Sequence, residues 1–269
     1  MSTNHTEPDG DCHNCGATLR GSYCSDCGQH VVDLDVPFKT FLKEFVGETL
    51  SLDSSLFRTL KPFLFKPGFL TQEDLAGRRA RYLPPIRLYL VISFVTFFVM
   101  AQSPNVVQVN EGSANLPDST VAAELEEDGP AGELLGRGLQ KVLADPDAFT
   151  ASFSRRMAQV AFVLLPIFAL FLKVLFSGRS YVLHLVFSIY FHSFAFSMFL
   201  MNILCEMAGL SALGGLFVLA IPVYLLLGMR RSYQEGWGKT TAKWFAIGAA
   251  HTMTTLIGVA VAAIIAVVL

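Results

Sequence analysis

From Ile86 onward the chain carries runs in which apolar residues cover every face of a helix, whereas before that point they recur at intervals of three and four. Five such runs stand out: Ile86 to Ala101, Met157 to Phe176, Tyr181 to Cys205, Leu210 to Met229 and Trp244 to Leu269. A helix apolar all round belongs inside a membrane, and about 20 residues cross the roughly 30 Å hydrocarbon core. Four of the runs have that length. Residues 86–101 make a first span of only about 24 Å at about 1.5 Å per residue, which snorkelling by Arg87 and the interfacial preference of Tyr82 and Tyr89 extend. The pattern predicts an all-α integral membrane protein of about five transmembrane helices, with residues 157–269 as a four-helix region. Residues 102–156 are polar and acidic, too polar to cross, and the patches Leu134 to Leu143 and Phe149 to Phe153 predict a surface helix within that loop.

Residues 36–85 have a different period. Phe38, Phe41, Leu42, Phe45, Val46 and Leu50 form one stripe, predicting a helix over Pro37 to Leu50. Leu56, Phe57, Leu60 and Leu64 predict a second over Ser54 to Phe65, capped by Asp53 or Ser54 and kinked or ended at Pro62. Lys66-Pro67-Gly68 breaks the chain, after which Thr71 and Asp74 have the spacing of a capping box for a short helix leading through Gly77 to Arg81. Phe-rich stripes flanked by Lys and Arg suit juxtamembrane helices lying in the headgroup plane, where Arg78, Arg79, Arg81 and Arg87 meet anionic lipid. The alternative is a small helical domain that packs the stripes on itself.

Composition agrees with the pattern: 52% of residues are hydrophobic and only 16% charged, against roughly 25% charged in soluble domains. The charges are segregated, and that fixes an orientation. With five spans, sixteen of the twenty Lys and Arg fall on the N-terminal side of the membrane, which puts the N-terminus in the cytosol and the C-terminus outside. Arg155 and Arg156 lie on the outer side under this scheme, against the bias. If residues 86–101 are merely interfacial, four spans remain and the acidic loop changes side. The first thirty residues are polar and lack the apolar core of a signal peptide.

The strongest chemical pattern is CHNCGATLRGSYCSDCG over residues 12–28, two copies of Cys-x-x-Cys-Gly. Two such knuckles offer four sulfurs, the set that closes a tetrahedral structural Zn2+ site with no position left for water. Cys12, Cys15, Cys24 and Cys27 are therefore the expected metal ligands, within a cytosolic ribbon of residues 1–35. His13 and His30 lie close, His30 being the better reserve. Disulfides, a redox dithiol and an iron–sulfur centre are the competing readings, and disulfides need an oxidising compartment. A ribbon this small has no useful core, so metal removal is expected to unfold it. Cys205, alone in an apolar run, reads as a small buried residue.

The membrane runs carry few polar groups. His184 and His192, about 80° apart on a helix, together with Ser188 and Asn202, are candidates for a proton or metal path, or for hydrogen bonding between helices. His251 beside Thr252, Thr254 and Thr255 reads as packing. Lys173 is expected to snorkel, Pro166 and Pro222 to kink their helices, and Gly258, Ala262, Ala246 and Ala250 to form small faces for close packing within the bundle or in a homo-oligomer.

The quartet with Gly28, Leu52-Asp53, Arg58-Thr59-Leu60, Lys66-Pro67-Gly68, and Gly77-Arg78-Arg79-x-Arg81-Tyr82 followed by Pro85 and Arg87 together resemble a bacterial membrane-protein family known only as a domain of unknown function. The resemblance covers roughly residues 12–98, with Arg78 standing where that family has Lys. It implies a zinc ribbon joined to a multi-span protein of the bacterial inner membrane, and it supplies no activity. No paired acid and base is present for an enzyme. The expected function is non-enzymatic, the ribbon and basic collar binding membrane lipids or a cytosolic protein partner; phospholipid occupies the arginines, which disfavours nucleic acid. The alternative is a small permease built on the C-terminal spans with the ribbon as regulatory cap.

Overall fold

The computed structural model describes residues 11–19, 21, 23–29, 55–102, 129, 132–133, 136–137, 140, 142 and 144–268. The helix expected over Pro37 to Leu50, His30 and most of the acidic loop lie outside them. Seven helices are bounded among the described residues: α1 (Ser55–Phe65), α2 (Phe69–Leu75), α3 (Pro85–Gln102), α4 (Pro146–Leu175), α5 (Tyr181–Met207), α6 (Ser211–Tyr233) and α7 (Trp237–Val268). Four contain stretches long and apolar enough to cross a membrane: Arg155–Leu175, Tyr181–Met207, Ser211–Tyr233 and Trp237–Ala266. The protein is thus a helical, membrane-spanning one by length and composition.

Several helices overrun the expected boundaries. α7 begins at Trp237 and α6 continues to Tyr233, because polar residues at a span's end cost a helix little once its backbone bonds are formed. The patch Phe149 to Phe153 is the first turns of α4, continuous with the span beyond it, and is no separate surface helix. α3 has 18 residues, about 27 Å at about 1.5 Å per residue, and falls short of the length shared by the four long spans. One face of α3 buries Leu88, Tyr89, Ser93 and Thr96, the last donating to Phe196 O on α5, while Val91, Phe94 and Phe98 stay exposed on the other.

α5 is the central element. Its buried face carries Phe187, Phe191 and Phe194, and the core cluster gathers Phe168 and Leu172 of α4, Tyr224, Leu225 and Met229 of α6, and Ile247 of α7 around it. Close approach depends on glycine where α7 crosses α4, since a Cβ on Gly258 would lie 2.6 Å from Val160 Cγ1. Ala262 is buried, so Gly258 and Ala262 serve the bundle's own packing, whereas Ala246 is exposed and Ala250 half-buried. Pro166 and Pro222 lie within α4 and α6, and a side chain reaches each proline carbonyl: Tyr181 Oη donates to Pro166 O at 3.0 Å and Trp244 Nε1 to Pro222 O at 3.0 Å. Lys173 reaches past the end of α4 and donates to Ser177 O and Arg179 O, both at 2.7 Å, closing the turn between α4 and α5.

The α1–α2 hairpin departs most from expectation. Its buried positions are Thr59, Phe63, Leu70, Thr71 and Asp74, and they pack towards α5 and α6. The predicted stripe is off by part of a turn, for Phe57 is 78% exposed while Thr59 is fully covered. Thr59 is covered because its Oγ1 accepts the Leu83 N–H at 2.8 Å. Tyr224 of α6 donates to Phe63 O at 2.8 Å, and Tyr190 of α5 donates to Asp74 Oδ2 at 2.8 Å. Thr71 and Asp74 form no capping box. α2 instead starts at Gly68, whose φ of 73° suits glycine and whose Cβ, if present, would meet Gly228 O at 2.7 Å.

Candidate metal centre

The two knuckles repeat one backbone design twelve residues apart. Gly16 N donates to Cys12 O and Cys12 N to Ala17 O, both at 2.7 Å; Gly28 N donates to Cys24 O and Cys24 N to Gln29 O, both at 2.9 Å. Gly16 and Gly28 take φ of 78° and 70°, the left-handed conformation that lets each chain fold back over its sulfurs. An antiparallel bridge between Asp11 and Thr18 braces the first knuckle.

These turns bring the four sulfurs within 4.8 Å of one another. The approaches across the two knuckles are Cys12 Sγ to Cys27 Sγ at 3.6 Å and Cys15 Sγ to Cys24 Sγ at 3.5 Å. A tetrahedron of thiolates about 2.3 Å from a zinc ion has edges of about 3.8 Å. Cys12 and Cys24 are buried and all four are free thiols, so the quartet could bind a metal ion. The Asn14 side chain and the Gln29 backbone hold the Cys27 thiol down to about 6. Although the Ala17 backbone lowers it, Cys15 is pushed up to about 12 by the neighbouring thiols, because negative charge cannot gather on all four sulfurs unaided.

His13 does not turn to the sulfurs. Its ring lies against Gly77, where an added Cβ would approach His13 Cβ at 3.1 Å, and this contact joins the ribbon to the basic turn after α2. The Gln29 side chain completes the joint: its Nε2 donates to Gly77 O, and its Oε1 accepts from Arg79 N at 3.0 Å and Ala80 N at 3.2 Å. Within that turn Arg78 is paired with Glu73 and Arg79 approaches Asp74 at 3.7 Å. The arginines read as a uniform lipid-facing collar therefore divide, two holding the turn together. Arg137, in the acidic loop, is paired with Glu133.

The histidines of the spans also divide. His184 Nδ1 lies 2.8 Å from Tyr233 Oη of α6. His192 faces α7 instead, its ring 5.1 Å from that of His251 and flanked by Phe168 and Phe191. His192 Nδ1 donates to Ser188 O at 2.8 Å, and Ser188 itself donates to Leu165 O at 2.9 Å. The face expected to join His184 to His192 is not shared, and Asn202 donates to Glu206 Oε1 at 3.0 Å at the far end of α5. The juxtaposition of His192 with His251, and the buried Asp74–Tyr190 bond, went unread in the sequence because each partner belongs to a remote helix. Cys205 is buried, as expected of a lone cysteine.

Residues 53–97 match a family model. Its description is a protein of unknown function, DUF3667. The match takes in the α1–α2 hairpin, the basic turn and most of α3, and thus the motifs from Arg58-Thr59-Leu60 to Arg87, but not the cysteine quartet. No curated protein and no solved structure matches the chain.

Proposed function

We propose that this chain is a non-enzymatic, multi-pass protein of a bacterial inner membrane, N-terminus cytosolic, whose four cysteines hold a structural Zn2+ and whose basic end binds anionic lipid headgroups. The observation that carries the reading is the clustering of basic loops at one end of the bundle. The ribbon docks on Gly77–Ala80, Gln72 of α2 donates to Arg231 O at the end of α6 at 2.7 Å, and Lys243 is bonded to Glu235 beside the α4–α5 turn. Arg78 to Arg81, Arg179, Arg230, Arg231 and Lys243 thus share one side, as the rule that cytosolic loops are basic requires. On this reading α3 crosses as a short fifth span, its exposed Val91, Phe94 and Phe98 facing lipid. The zinc is structural because all four of its positions are taken by protein sulfur.

Two measurements test this. Purified protein should contain about one zinc per chain and retain anionic lipid in preference to zwitterionic lipid, with a preference that weakens as salt screens it. A reporter fused after Leu269 should be active only when exported. Zinc-free protein with a folded ribbon refutes the metal; cytosolic reporter activity refutes the topology.

The His192–His251 pair favours a second reading, a small permease with these histidines on its path. Proton flux in proteoliposomes that vanishes in His192→Asn/His251→Asn protein would support it. Flux equal in the two proteins would remove it.

A further inference from the structure

Beside the α1–α2 hairpin a cleft of about 680 Å³ opens to the exterior, lined by Phe57, Arg58, Lys61, Lys66, Phe69, Arg81, Tyr82 and Pro62. Four of its side chains are cationic and none is acidic. Arg58, Lys61, Lys66 and Arg81 take part in none of the ion pairs among the described residues. Among the described residues the carboxylate nearest in sequence to this wall, Glu73, is already committed to Arg78, whose Nε donates to it at 2.9 Å. The remaining wall is aromatic. Phe69 meets Tyr82 edge to face at 6.1 Å, and Lys66 lies over the Phe69 ring at 5.5 Å.

Its level in the bundle follows from one contact and one neighbour along the chain. Arg231, in the last turn of α6, lies 5.2 Å from the centroid of the Phe69 ring, and Tyr82 precedes the start of α3 at Pro85. The cleft therefore opens where two apolar helices end, the depth at which lipid phosphates lie. Phe57 and Phe65 stand exposed on the same helix, offering apolar surface next to the cations.

We propose that this cleft is a binding site for the phosphomonoester headgroup of a membrane lipid, with Arg58, Lys61, Lys66 and Arg81 around the phosphate and Phe57 against the adjoining chain. Four cations with no ion pair among the described residues exceed what a phosphodiester, with its single negative charge, can neutralise, whereas a phosphomonoester brings close to two charges and three acceptor oxygens. Arginine and lysine are complementary in such a site, the guanidinium gripping two oxygens and the ammonium acting as a point charge. The inference rests on the proposed placement of this end of the bundle at the headgroups, and narrows general attraction to one site with a preference for the dianion.

The test uses the full chain, zinc-loaded, in nanodiscs of zwitterionic lipid doped with either phosphatidic acid or phosphatidylglycerol, binding being read by native mass spectrometry of the released complex. The protein should favour phosphatidic acid over phosphatidylglycerol by about tenfold, and the preference should grow as pH rises through about 6, where a phosphomonoester gains its second charge. Lys61→Gln/Lys66→Gln should reduce phosphatidic acid to the level of phosphatidylglycerol with zinc content and melting temperature unchanged; Arg58→Gln, on the exposed face of α1, is the second variant if the first fails to fold. Equal binding of the two lipids by the unaltered protein overturns the site. So does a preference that survives both variants, or full displacement by millimolar inorganic phosphate, which would make free phosphate the ligand. If anionic lipid still outcompetes zwitterionic lipid in any of these cases, only the site falls and the headgroup reading stands; if that broader preference is also absent, both fall.

Discussion

The cysteine ribbon and the α1–α2 hairpin clamp the same basic turn from two sides, the ribbon through Gln29 at Gly77, Arg79 and Ala80, the hairpin through Thr59 at Leu83. What holds each of them differs in kind. The hairpin is fixed by burial: Phe63 and Leu70 join the core of the bundle, and Tyr224 and Tyr190 supply hydrogen bonds from the spans. The described part of the ribbon buries little beyond Cys12 and Cys24, so on the proposed reading its order comes from a metal held by the four sulfurs. Loss of order in the ribbon should therefore leave the bundle intact, whereas emptying a buried position of the hairpin should not.

The largest effect expected from that contrast is metal removal. A structural zinc contributes apparent binding energy of about 10–16 kcal/mol to the fold of such a small unit. Chelation, or Cys24→Ser, should release the ion and make the ribbon sensitive to protease while the melting temperature of the bundle hardly moves. A bundle that melts in step with metal loss would mean that ribbon and hairpin form one cooperative unit. Phe63→Ala should do the reverse, costing the bundle about 3–5 kcal/mol for the cavity left beneath Phe194 and Tyr224, with zinc content unchanged.

How legible these parts were depends on where their partners lie. The quartet was readable because both knuckles, with their glycines, are local in sequence. The long spans were readable because a helix apolar on all sides needs no assignment of faces. The hairpin was misread for the opposite reason. The spacing puts Phe57 in the stripe with Leu56, Leu60 and Leu64, and Asp74 in a capping box; Thr59 and Asp74 are polar, and their spacing does not mark them as buried. Their burial is permitted by Leu83 N and Tyr190 Oη, and nothing near them in the chain announces a tyrosine 116 residues away. The pair of His192 with His251 was hidden in the same way, each histidine being unremarkable on its own helix.

Asp74 gives the contrast a pH signature. Burial pushes its carboxyl up to about 6, against the Tyr190 hydroxyl and Arg79, which both lower it. In the unfolded chain the same group titrates near 3.9, so between about 4 and 6 the folded state binds more protons, and stability falls as pH rises through that window and stays at its lower level above it. Melting temperatures measured from pH 4 to 7.5 should show this slope in the natural protein and lose it in Asp74→Asn, which keeps an acceptor for Tyr190. Asp74→Leu should cost about 1–3 kcal/mol at every pH, because it strands that buried hydroxyl. An Asn variant with an unaltered slope would assign the proton to another group.

The smallest effect expected is at the joint itself. Gln29 follows the second knuckle, is no metal ligand, and makes three hydrogen bonds to the backbone of the basic turn. Truncating it should cost about 1 kcal/mol net, since the turn's exposed N–H and C=O groups are then met by water. Gln29→Ala should therefore keep its zinc and leave the melting temperature of the bundle nearly unchanged. What should change is the docking: exchange at the Arg79 and Ala80 amides should speed up several-fold, and a spectroscopic label on Tyr23→Cys should report a less restricted ribbon. The outcome separates two ways of building a cap. If the amides stay protected without Gln29, the packing of His13 on Gly77 suffices to seat the ribbon; if they open, a single glutamine carries the connection between the cysteine ribbon and the membrane helices.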